Sequence, residues 1–308
     1  MSLLTSDAKG VYLISVTPFH DNGDVDFGSL DRVTDFYLEK GAAGITVLGM
    51  MGEAPKLTQA EAREIVERVI KRAAGTPVVA GVSAPGLAAI SELSKAVMDM
   101  GAAGVMIAPP GSLRTDEQIA TYYGQACAAA GNGVPVVLQD FPLSTGVPIS
   151  VPLMGRIIED NDQIVMLKHE DWPGLAKISA LRDAESNGRR RISILCGNGG
   201  VFLPEEMSRG ADGAMTGFGY PEMIADVVAL AEAGDMDRAQ DIFDAYLPLV
   251  RYEQQPGLGL AVRKYALAKR GAIASAALRK PGAGLAPAAI AEVERLIERQ
   301  TRRLKELG

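Results

Sequence analysis

Cysteine is nearly absent: Cys127 and Cys196 are the only two in 308 residues. That excludes a disulfide framework and makes a reducing cytoplasm the expected setting. Histidine is as scarce. His20 and His169 are too few and too far apart for a histidine-based metal site, so no metal is expected. Positive charge is the minority sign, with 31 Lys and Arg against 38 Asp and Glu and a net charge of −7. That balance argues against a nucleic-acid groove or an anionic membrane surface as partner, while leaving room for a local basic pocket that binds an anionic metabolite. No apolar run approaches the length needed to cross a bilayer. No basic segment followed by an apolar core opens the chain, so no signal peptide is expected. Linker-like stretches are missing apart from a small Ala/Gly-rich patch at 283–289.

What remains is an ordinary soluble composition, 47% hydrophobic and 22% charged, long enough for one large domain or two smaller ones. Short apolar runs at 11–17, 44–48, 77–82, 104–108, 135–139, 163–170, 191–195 and 213–216 read as strands. Between them lie helical patterns at 24–40, 58–74, 87–100, 115–130, 152–159, 174–187 and 204–209. Thr58-Gln59-Ala60-Glu61 is a capping box that marks one helix start, and Gly41, Gly101 and Gly131 mark helix ends. The strands are apolar on both faces, which is the signature of a parallel sheet wrapped by helices. Eight such units predict an α/β fold, a (β/α)8 TIM barrel over residues 1–220. Residues 221–308 are expected to form a C-terminal helical extension packed on the barrel, with breaks at Gly234, Pro256 and Pro281. A doubly wound open sheet is the alternative, but it commonly carries a Gly-rich phosphate loop after its first strand, and Pro18-Phe19-His20 is not one.

In such a barrel the chemistry sits at the C-terminal ends of the strands. The sixth strand ends Met166-Leu167-Lys168-His169-Glu170. Alternation puts Met166, Lys168 and Glu170 on one face and His169 on the other. Two readings fit this stretch taken alone. It is a strand running out into a charged loop, or it carries an amine whose burial favours the neutral, nucleophilic form. The other strand ends supply Thr17, Met50-Met51-Gly52-Glu53, Ala108-Pro109, Gln139-Asp140, Gly197 and Met215-Thr216. Their glycines allow close backbone approach to a small ligand, and backbone N–H groups there can hold a carboxylate.

Taken together, Thr17-Pro18-Phe19, the GxxGE loop at 49–53 followed by Leu57-Thr58, Pro142 with Thr145-Gly146, Lys168 and Gly197 resemble the dihydrodipicolinate synthase / N-acetylneuraminate lyase family. The resemblance spans essentially the whole chain. It implies that Lys168 is the lysine that forms an imine with a 2-oxo acid such as pyruvate, without metal or organic cofactor. It also implies a cytoplasmic homo-oligomer, a tetramer or a dimer.

Departures from the synthase pattern are as informative. Met50 and Met51 stand where the synthases carry two threonines, Gln139 where they carry a tyrosine relay, and Ser144 where an arginine binds the second substrate. Pro109-Pro110-Gly111 occupies the place of a further tyrosine supplied by a neighbouring subunit. Glutamine does not titrate, so Gln139 can orient a substrate but not shuttle protons. Glu170, two residues past the lysine, takes over as candidate acid–base group. The Lys-x-Glu pair with Gln139-Asp140 is similar to the 2-keto-3-deoxy-L-arabonate dehydratase branch. The expected function is therefore a lyase acting on pyruvate or a 2-keto-3-deoxy sugar acid, as dehydratase or aldolase. The expected catalytic residues are Lys168, Glu170 and Gln139, with Met50, Met51, Gly52, Asp140, Gly197 and Met215 binding the substrate. The alternatives are 4-hydroxy-tetrahydrodipicolinate synthase proper, condensing pyruvate with aspartate semialdehyde, and a non-catalytic barrel that binds a small molecule. Glu53 is expected to brace its loop, His169 to be structural, and both cysteines to be unreactive.

Overall fold

In the computed structural model, which describes residues 2–308, eight parallel strands close into a barrel in chain order. They are β1 (Gly10–Ile14), β2 (Gly44–Val47), β3 (Val78–Gly81), β4 (Gly104–Ile107), β5 (Val136–Asp140), β6 (Ile164–His169), β7 (Ser193–Cys196) and β8 (Gly213–Thr216). Helices α1 (Phe27–Glu39), α2 (Gln59–Arg72), α3 (Leu87–Asp99) and α4 (Asp116–Ala130) follow the first four strands. After β5 come a short α5 (Pro142–Thr145) and α6 (Val151–Asp160); α7 (Leu175–Ser186), α8 (Leu203–Ser208) and α9 (Pro221–Glu232) follow the last three strands. The chain ends in α10 (Met236–Glu253), α11 (Gly259–Lys269) and α12 (Pro287–Glu306). The expected (β/α)8 barrel is thus the fold. No described helix is long and apolar enough to cross a membrane.

Strand alternation divides the core in two. Tyr12, Val79, Met106, Val137, Met166, Leu195 and Met215 fill the barrel interior, with Leu4 packed among them. Their strand neighbours, such as Leu13, Ile45, Val105, Leu138 and Leu167, point outward into the layer under the helices. The barrel centre is therefore packed, and only its C-terminal mouth is open for chemistry.

Local signals act as read. Thr58 and Glu61 cap α2 reciprocally, and Thr115 and Gln118 do the same for α4. The first strand stops at Ile14, before the expected Thr17. Ser15 still donates its N–H to the Thr46 carbonyl at 2.9 Å. Beyond it, Pro18 has no N–H to give and restricts Thr17, so the chain leaves the sheet. Helix α9 packs on β1, β8 and α8 and against α10, joining the barrel to the helices that follow. Residues 270–286 are not helical. They run back across the loops that follow β1 and β2, where the Arg279 side chain donates to the Gly23 and Lys56 carbonyls and pairs with Glu61 at 2.6 Å.

Candidate active site

Lys168 is the penultimate residue of β6, and its register partners are Gln139 on β5 and Leu195 on β7. Alternation turns Lys168 and Gln139 inward together. Glu170 lies one residue beyond the strand, but its N–H still bonds the Asp140 carbonyl at 2.9 Å, so it keeps the ladder's alternation and also faces in. All three are buried, at 5%, 4% and 6% exposure. The Lys168 Nζ stands 3.1 Å from Glu170 Oε2, and the Gln139 side-chain amide donates to the same oxygen at 2.7 Å. One carboxylate oxygen thus joins the amine to the amide, at the top of an apolar barrel.

The neighbouring strand ends build the walls. Gly197 leaves room for Glu170: a Cβ there would overlap the Glu170 Cγ and lie 2.6 Å from Oε1. Asn198, in the left-handed region at φ 50°, donates its side-chain amide to the Glu170 carbonyl at 3.1 Å. The Thr216 hydroxyl accepts from the Gly199 N–H at 2.8 Å. Met50–Gly52 forms a 3₁₀ turn whose first N–H groups have no acceptor within the turn. Lys168, Glu170, Met50, Met51, Asn198 and Thr216 line a cavity of about 90 Å³. A larger and more apolar cavity of about 430 Å³, with Leu48, Met106 and Gln139 in its wall, adjoins it at Met50 and Phe141.

Several expected site residues are elsewhere. Asp140 does not face the cavity. As the outward neighbour of Gln139 it pairs with Lys177 Nζ at 2.7 Å, which Asp171 also reaches at 2.7 Å. Burial pushes its carboxyl up to about 6, against the lowering effect of Lys177. Met215 is fully buried in the barrel interior against its register partner Tyr12, below the cavity floor. Gly52 lines neither cavity; its carbonyl accepts from the Thr17 hydroxyl at 2.6 Å, which holds the turn down. Gly197 likewise lines neither cavity, and its place is behind Glu170. His169 points outward to the start of α7, where burial lowers it to about 4. Burial raises both thiols, Cys127 to about 11 and Cys196 well above its ordinary value.

Glu53 is 2% exposed and reaches Lys264 Nζ at 2.6 Å and Lys56 Nζ at 2.8 Å. It ties the Met50–Gly52 turn to α11. Two lining residues lie outside the barrel repeat: Gln254 at the end of α10 and Arg263 on α11. Arg263 is buried, with Nε on Glu253 Oε1 at 2.7 Å and Nη2 on the Gly217 carbonyl. The sequence signal for Arg263 is an Arg-Lys pair set inside the apolar helix Leu260-Ala261-Val262-Arg263-Lys264-Tyr265-Ala266-Leu267. Gln254 has none, since it caps a helix among other polar residues.

Residues 7–300 match the model of the dihydrodipicolinate synthetase family. The chain belongs to that family. Its members are lyases acting on small molecules. Within the family the chain is 30% identical over 291 residues to L-2-keto-3-deoxyarabonate dehydratase of Azospirillum brasilense, covering 92% of each chain. It is 30% identical over 247 residues to 4-hydroxy-tetrahydrodipicolinate synthase of Methanococcus maripaludis, covering 79% of this chain and 82% of that one. Among solved structures, dihydrodipicolinate synthase from Rhodopseudomonas palustris superposes with a TM-score of 0.96 at 56% identity, over 97% of this chain and all of that one. In this family member, the residues that meet at the mouth are Lys168, Glu170 and Gln139.

Proposed function

We propose that this family member is an imine-forming lyase that removes water from a 2-keto-3-deoxy sugar acid. The observation that carries the reading is the contact of Lys168 Nζ with Glu170 Oε2 at 3.1 Å, braced by Gln139 at 2.7 Å. The amine attacks the ketone carbon C2, and Glu170 moves the protons as water leaves and the imine forms. Glu170 takes the C3 proton, and the imine accepts the electron pair that its loss releases. The resulting enamine returns that pair and expels the C4 hydroxyl, which departs as water with the proton Glu170 took, and water then hydrolyses the product imine and frees the Lys168 amine. Gln139 keeps Glu170 aimed at the reacting carbons and is a positioning residue. The free N–H groups at Met50 and Met51 suit the substrate carboxylate. The steps draw on the amine and the carboxylate and call for no metal or organic cofactor. The expected setting is a cytoplasmic homo-oligomer.

The second reading is the synthase, which the name of the Rhodopseudomonas palustris relative favours. Against it, Thr216 has the only side-chain hydroxyl among the described residues that line the 90 Å³ cavity, and that hydroxyl accepts from the Gly199 N–H. No tyrosine is there to relay a proton. Direct assay separates the two. L-2-keto-3-deoxyarabonate is expected to lose water, while pyruvate with aspartate semialdehyde is expected to give little condensation. Efficient condensation with no dehydration would overturn the proposal.

A further inference from the structure

We propose that Arg263 and Gln254 form a subsite for the hydroxyl-bearing far end of the substrate, by which this chain selects a polyhydroxylated 2-oxo acid over pyruvate. The inference rests on Lys168 as the imine-forming residue and deepens that reading. Two buried donor atoms carry it. Arg263 Nη1 and Gln254 Nε2 both lack a hydrogen-bond partner in the protein. Both residues line the cavity that holds Lys168 and Glu170. A buried donor without an acceptor opposes folding, so its presence at a site is a sign of function.

The Arg263 side chain has no freedom to place Nη1 elsewhere. Its Nε is held by Glu253 Oε1 at 2.7 Å and its Nη2 by the Gly217 carbonyl, and the guanidinium is planar. The backbone beside each donor is bare. A Cβ at Gly217 would come within 2.8 Å of Nη1, and one at Gly199 would overlap Gln254 Nε2. Both glycines line the same cavity. Two elements from outside the barrel repeat therefore bring donors to one ligand space.

The chemistry selects the occupant. Both atoms are donors only, so they require oxygen acceptors. Glu253 already balances the guanidinium charge, so the subsite fits neutral hydroxyl oxygens and needs no second carboxylate. Pyruvate ends in a methyl group and offers these donors nothing. A 2-keto-3-deoxy sugar acid, anchored at C2 by Lys168, carries hydroxyls on the carbons beyond.

Borohydride trapping measures the test. Half-saturation of the trapped adduct is compared for L-2-keto-3-deoxyarabonate and for pyruvate, in wild type, Gln254→Leu and Arg263→Lys. The sugar-acid to pyruvate ratio is expected to rise about tenfold in each variant, the loss of one hydrogen bond to ligand oxygen, and any rise above roughly threefold supports the subsite. Gln254→Leu keeps the test valid if replacing the buried Arg263 prevents folding. Trapping of pyruvate alone by wild type, or a ratio that stays within about threefold, overturns the subsite and leaves the imine reading standing. Trapping of neither compound overturns both.

Discussion

Glu170 is held from three sides. Gln139 fixes one oxygen, its own N–H continues the ladder to Asp140, and Gly197 leaves the space its side chain fills. Glu170→Gln keeps the shape and removes the proton-carrying oxygen. Turnover of L-2-keto-3-deoxyarabonate is expected to fall by about 10²–10⁴-fold, the usual contribution of general acid–base catalysis. Pyruvate should still be trapped on the lysine. Unchanged turnover would remove Glu170 as the acid–base group. Gly197→Ala tests the same geometry from behind. The added methyl must displace the Glu170 side chain, so turnover should drop while circular dichroism still reports the barrel. Retained turnover would show that the carboxylate position is not critical.

Among the elements, α11 does more than cover the barrel. Lys264 reaches Glu53 at 2.6 Å with both side chains buried, which fastens α11 to the Met50–Gly52 turn. Burial lowers Lys264 from its ordinary value, opposed by the Glu53 contact. Removing one partner of a buried pair leaves the other charge uncompensated. Glu53 would keep Lys56 if Lys264 were removed, whereas Lys264 has Glu53 as its carboxylate partner, so Glu53→Gln should lose about 3–5 kcal/mol of stability by urea unfolding. A loss below about 1 kcal/mol, the range of exposed pairs, would show that the pair contributes little. This link was half legible in the sequence. Glu53 reads as a brace because it ends a glycine-bounded loop, but its partner lies 211 positions away, and no local pattern encodes that pairing.

At the scale of the molecule, the barrel was legible because an apolar strand and a helical pattern alternate eight times, with caps at Thr58 and Thr115 marking two of the helix starts. Lys168 and Glu170 were legible because strand alternation puts them on one face. Asp140 and Met215 were misplaced for a related reason. Being near a strand's end does not decide which way a side chain points or how deep it sits, and neighbouring Gln139 took the inward position. Arg263 and Gln254 were missed because tertiary packing alone carries them from the last helices to the mouth.

Stability against pH is also a property of the whole molecule. Burial is the largest cause of raised values at Asp140, to about 6, and at Glu206, to about 8. Each binds its proton more tightly folded than unfolded. Their contribution is thus fully present below the ordinary 3.8 and 4.5 and is lost as pH rises through about 6 and about 8. The thermal midpoint should fall between pH of about 5 and about 8, and Glu206→Gln, which cannot ionise, should fall less. Equal slopes for the two proteins would contradict the raised value at Glu206.

The chemistry proposed for the barrel mouth depends on Lys168 forming an imine with a 2-oxo acid. Incubation with pyruvate followed by borohydride and intact-mass measurement tests it directly. One stable adduct per chain is expected, located on Lys168 by peptide mapping and absent from Lys168→Ala. No adduct on wild type, or an adduct that persists in Lys168→Ala, would contradict it.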